Sequence, residues 1–183
     1  NILRSHSKEK YFSPYSSGTG SICMHATGIL APHQTAATMV AELRSSGLHT
    51  VWATGSSIPC LGIFTPFYFG SDSLTEHSMQ ERQHWQRWEH WHRKAVHNYS
   101  AVYKLLDELR FGMEEHLVIN DRSFAGRNLA YILSLLSQDA LKRSDEILRN
   151  MPEPRADKIP FFYRRFWNRV DSRFEPMETP IHQ

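Results

Sequence analysis

The chain has 183 residues, 40% hydrophobic and 22% charged, with a net charge of +2 when histidine is neutral. Such values suit a chain with a sizeable buried core and exclude a strongly basic nucleic-acid binder. No run approaches the ~18 consecutive apolar residues of a membrane helix, and two cysteines are too few for a disulfide framework, so a reducing, cytoplasmic setting is expected, with no membrane and no nucleic acid as partner.

The opening run "NILRSHSKEKYFSP" lacks the layout of a signal peptide; without an initiator methionine at Asn1, it reads as a chain cut from something longer. Next comes "GSICMHATG", an apolar run between Gly20 and Gly28 that suits a strand. In "TAATMVAELR" the alternation suits a strand diluted by Ala and Glu. "LHTVWATG" is a clearer one, with Val51 and Trp52 before Gly55. "CLGIFTPFYF" is another, where Pro66 points to an edge or a strand end. Short turns between them imply antiparallel pairing.

The period changes at residue 72. "SDSLTEHSMQERQHWQRWEHWHRKAVHN" has no Pro or Gly, and Asp72 or Ser73 is its expected cap. Val102, Leu105, Leu106, Leu109, Met113 and Leu117 then recur at threes and fours, which predicts an amphipathic helix ending at Asn120 and Asp121. A further helix is expected from about Ser123, with Leu129, Ile132, Leu133, Leu136, Ala140 and Ile147 on one face. The aromatic, basic tail "FFYRRFWNRV" is too apolar to be free and should dock in part. The expected domains are residues 1–70, strand-rich; 71–150, helical; and 151–183, a docked tail. Strands first and helices second make an α+β class.

Cys23 and His25 are the candidates for chemistry within the chain. Residues two apart on a strand share a face, and a thiol beside an imidazolium is a nucleophile. The competing reading is a buried strand pair, and it is preferred, because cysteine is among the most buried residue types. Cys60, after Pro59, reads as a turn leading into a buried strand. His84, His90, His92 and His97 invite a metal reading, but their separations of six, two and five do not put two imidazoles on one helix face; no metal or other cofactor is expected. Trp85, Trp88 and Trp91 form an aromatic stripe, expected in a core or at a subunit contact.

Four segments carry a resemblance. "ILRSH" (2–6) is close to an "LRDH" pattern; "SICMH" (21–25), "QTAATMVAEL" (34–43) and "VWATGSSIPCLGIFTPF" (51–67) follow in matching order and spacing. Together they resemble the later part of a cysteine N-terminal-nucleophile hydrolase, of the peptidase families that contain secernins and dipeptidase A, and more distantly the isopenicillin-N acyltransferase family. The resemblance implies a four-layer αββα sandwich followed by a helical extension. It also implies hydrolysis of peptide or amide bonds through an acyl-enzyme, by an N-terminal cysteine whose own amine is the base. With Asn1 in first place, that cysteine is expected in a missing N-terminal half, which becomes the main partner beside a peptide or N-acyl substrate; a homo-oligomer is left open. The matched polar residues Arg4, His6 and His25 are the expected pocket residues. The alternative reading is a non-enzymatic interaction domain that offers the Trp/His helix to a partner.

Overall fold

The computed structural model describes residues 2–7, 12–17, 19–54, 56–71, 78–124, 127, 129–155 and 158–174. Among these residues three strands, β1 (Thr38–Glu42), β2 (Thr50–Thr54) and β3 (Thr65–Tyr68), form an antiparallel meander in the order β1-β2-β3. Val40 pairs with Trp52, and Trp52 with Pro66. Pro66 is accommodated because β3 is an edge strand and a missing N–H there breaks no interior ladder. Among the described residues four α-helices follow: α1 (Ser78–Ala95), α2 (Tyr99–Phe124), α3 (Ala130–Asn150) and α4 (Phe161–Asp171). The class is α+β, as expected.

"SICMH" is not a strand. Its backbone joins no ladder: Cys23 N–H donates to Ser5 O (3.2 Å), Met24 N–H to Thr35 Oγ1 (3.0 Å), and Thr35 N–H to Met24 O (2.9 Å). An isolated bridge, Gly28 to Ala31, closes the segment. The expected cap at Asp72 or Ser73 lies outside the described residues. A single-turn 3-10 stretch, Val96–Asn98, joins α1 to α2.

The helix α2 runs on through Asn120 and Asp121 instead of stopping there. Its buried side is Tyr99, Val102, Leu106, Arg110, Met113, Leu117 and Asp121, spaced by threes and fours. Two charged residues complete this stripe because each is paired: Arg110 with Asp107 and the Cys60 carbonyl, Asp121 with Arg44 and Thr50. Leu105 and Leu109, expected inside, are 45% and 46% exposed. Helix α3 begins at Ala130 rather than near Ser123 and buries Ser134, Ser137 and Ser144 beside Leu133, Ala140 and Leu148, while Ile132 stays outside. Small side chains there suit close packing: Leu133 meets Tyr68 of β3, with Leu48, Phe124 and Leu136 around them.

The tail docks as expected. Tyr163 and Trp167, one turn apart on α4, are buried, and Arg93 of α1 bonds Asp171 (3.2 Å). The main core joins Cys23 and Leu61 to Trp88, Trp91, Leu106, Leu117 and Trp167. It therefore draws on all three stretches expected as separate domains. Trp88, Trp91 and His92 lie inside it, so most of the Trp/His stripe has no surface to offer a partner.

Candidate functional site

Residues 56–62, which carry Cys60, are gripped from several directions. Ile58 has a left-handed backbone (φ 60°, ψ 67°), a costly setting for a β-branched residue before proline. Its surroundings impose it: Ile58 N–H donates to Thr35 O (3.1 Å), and the side chain is fully buried. A 3-10 turn follows over Pro59–Leu61. Four successive carbonyls are then taken by side chains from three elements. Arg4 donates to Pro59 O (3.0 Å) and Gly62 O (2.9 Å), Arg110 to Cys60 O, and His92 Nε2 to Leu61 O (3.1 Å). Burial pushes the His92 imidazole down to about 4, so it holds this bond as a neutral ring. Ser57 is bonded by the buried carboxylate of Glu89, which also accepts from Arg93.

This grip aims Cys60 at residues far away in sequence. The sulfur lies 3.4 Å from His25 Nε2; that nitrogen is also 3.6 Å from Cys23 Sγ and 3.2 Å from His6 Nε2. All four ligand atoms, from His6, Cys23, His25 and Cys60, lie within 4.8 Å of one another. Both cysteines have no exposed surface and His25 is 3% exposed. His6 closes the outer side, its ring stacked on Phe12 at 3.6 Å between centroids. From α2, the Tyr99 hydroxyl donates to Cys60 Sγ (3.2 Å); burial and the neighbouring thiol raise its pKa and keep it a donor. A hydrogen bond from Cys60, with others from the two imidazoles, lowers the Cys23 thiol against the effect of burial. Burial and the facing Cys23 raise Cys60. The cage thus favours a thiolate among donors, closed to solvent.

Cys23, His25 and His6, all candidates from the sequence, meet here. Cys60 joins them through a contact 35 residues long that no local pattern signals. Arg4 stands elsewhere. Besides its two carbonyls it pairs with both oxygens of Glu114 on α2 and lies over the Phe64 ring at 4.6 Å. It works as a clamp between the first segment, the Cys60 turn and α2. Its stem also lines an apolar groove of about 530 Å³ with Ile2, Leu3, Val40, Trp52, Phe64 and Val118. The helix histidines do not gather: His84 bonds Asp145 (2.8 Å), whereas His92 faces Leu61.

Comparison with protein-family models, curated proteins and solved structures gives no match for this chain. Among the described residues no helix is long and apolar enough to cross a membrane.

Proposed function

We propose that this chain is the second half of a cysteine N-terminal-nucleophile amidohydrolase, with the attacking cysteine on a part of the protein outside this sequence. One observation carries the reading: the sheet has a largely apolar face that lies open at β1. Register places Met39, Ala41, Val51, Ala53, Thr65 and Phe67 on one side. The other side sends Thr50 to Asp121 of α2 and Tyr68 to Leu133 of α3. On the first side Met39 is 66% exposed and Ala41 is exposed, Val51, Ala53 and Phe67 are half-buried, and Thr65 at the β3 end is buried, so the face is open at β1. A sheet covered by helices on one face and apolar on the other is what one half of a sandwich presents to a second sheet about 10 Å away.

The resemblance of the four segments supports the family, and the closed state of both thiols supports a nucleophile elsewhere. In the proposed reaction the N-terminal thiol passes its proton to its own α-amine. The sulfur attacks an amide carbonyl, the C–N bond breaks, and the amine leaves with that proton. Water then cleaves the thioester to a carboxylic acid and restores the thiol. This chain contributes one sheet, the helical cover and part of the wall. The alternative that the Trp/His helix is a partner surface has less support, because Trp88, Trp91 and His92 are buried and only Trp85 of the tryptophan stripe is exposed.

The test compares the product of the complete reading frame with the 183-residue chain alone on dipeptides and N-acyl amino acids. The complete product should hydrolyse them and lose activity when its N-terminal cysteine becomes alanine; the chain alone should be inactive. Met39→Glu should leave the stability of the isolated chain within about 0.5 kcal/mol, yet cut activity of the complete product at least about tenfold, since it buries a charge between the sheets. Hydrolysis by the isolated chain, or indifference to Met39→Glu, would overturn the reading.

A further inference from the structure

We propose that His6, Cys23, His25 and Cys60 hold one zinc ion in a closed, tetrahedral structural site. This goes beyond the hydrolase reading and stands without it.

The deciding feature is the crowd around one atom. His25 Nε2 has three neighbours at 3.2, 3.4 and 3.6 Å: the His6 nitrogen and two sulfurs. An imidazole nitrogen offers one in-plane lone pair or one N–H, so it can satisfy one of them by hydrogen bonding. Three neighbours at near-equal distance fit the corners of a coordination polyhedron instead. The dimensions agree. With Zn–N of about 2.0–2.1 Å and Zn–S of about 2.3 Å, a tetrahedron has N–N edges of about 3.4 Å and N–S edges of about 3.5 Å. The three edges that meet at His25 are 3.2 Å for N–N and 3.4 and 3.6 Å for N–S, and all four ligand atoms lie within 4.8 Å of one another, a separation that a bound ion would draw in.

Ligand chemistry selects the metal. Two thiolates and two imidazoles are a borderline-soft set that suits tetrahedral zinc and does not suit magnesium or calcium, which take oxygen ligands. Two thiolates also cancel the ion's charge, so a buried site needs no further counter-ion. A catalytic zinc keeps one position for water. Here the protein fills all four corners, and neither sulfur has exposed surface, which makes the role structural. Support around the ligands is present as well: Tyr99 donates to the Cys60 sulfur, and Arg110 and His92 fix the carbonyls of Cys60 and Leu61. Such outer partners orient ligands in metal sites.

The placement explains how the first fifth of the chain is held. Residues 2–37 include two short 3-10 turns and one isolated bridge, with no strand or α-helix among the described residues. Zinc would tie His6, the Cys23–His25 segment and the Cys60 turn at one point, and its binding energy would become folding energy.

The 183-residue chain, refolded with one equivalent of cobalt(II), gives the most direct test. The expected spectrum has the intense visible bands of tetrahedral cobalt and a thiolate-to-cobalt charge-transfer band in the near ultraviolet. One equivalent of zinc should abolish both. Tyr99→Phe, which keeps all four ligands, should weaken zinc binding about tenfold, and His6→Ala by at least about 100-fold. Should the His6 or cysteine variants fail to fold, the wild-type spectrum still decides. The proposal is overturned if refolded protein takes up no stoichiometric cobalt or zinc, if the bound cobalt shows no charge transfer from sulfur, or if Cys60→Ser leaves the spectrum unchanged.

Discussion

Gly62 shows how tightly the Cys60 turn is built. A Cβ on it would lie 3.2 Å from both Cβ and Cγ2 of Thr54. Thr54 is buried and its hydroxyl accepts from Thr38 N–H (3.1 Å), which pins its rotamer. Gly62→Ala should therefore destabilise the chain by about 1–3 kcal/mol through overpacking, read from the denaturation midpoint; a neutral result would mean that Thr54 yields. At this scale the candidate site was partly legible. Cys23 and His25 stand two apart in an apolar run, and His6 ends a recognisable segment. Cys60 looked like any cysteine at a buried strand start. Its role depends on the left-handed turn at Ile58 and on Arg4, Arg110 and His92, whose partners are backbone carbonyls. No spacing rule encodes a carbonyl partner, so nothing in the sequence signals the clamp formed by Arg4, which enters the sequence reading only as a pocket residue implied by the resemblance.

Among the elements, β2 and β3 were readable because β-branched and aromatic residues stand between turn signals. Helix α2 was readable in kind but rotated in detail. Apolar periodicity selects Leu105 and Leu109, whereas the buried stripe takes Arg110 and Asp121, charges whose partners lie on other elements. "SICMH" failed as a strand because its backbone bonds go to Ser5 and Thr35 rather than to a neighbouring strand. Between α1 and α3, Asp145 accepts from His84 (2.8 Å) and pairs with Arg87. Burial alone would raise its carboxyl, but the His84 hydrogen bond and charge, with Arg87, hold it below the ordinary aspartate value. A carboxylate with a depressed folded pKa stabilises the fold at pH values above its unfolded pKa of about 4, and that contribution disappears as pH falls through the folded pKa. Asp145→Asn should thus cost about 1–2 kcal/mol at neutral pH. Melting curves of variant and wild type should converge below about pH 4; a gap independent of pH would show that the interaction is not ionic.

Across the whole molecule, helices α2 and α3 pack on one face of the sheet at Thr50 and Tyr68, and the largely apolar opposite face lies open at β1. The order of strands before helices announced the α+β class; it held no sign of which sheet face would stay open, because Met39, Ala41, Val51 and Ala53 read as ordinary strand residues. Nor did it show that one core would run from Cys23 to Trp167. The open face argues for a second sheet, and the closed cage of His6, Cys23, His25 and Cys60 argues that this chain's sulfurs serve structure. Both readings share one consequence, that no thiol here is available to attack a substrate. Alkylation of the native chain by iodoacetamide, followed by peptide mass spectrometry, tests it most directly. Cys23 and Cys60 should stay unmodified over a time that fully alkylates a free model thiol, and both should react once the protein is unfolded with a chelator present. Rapid labelling of Cys23 in the folded protein would contradict the account.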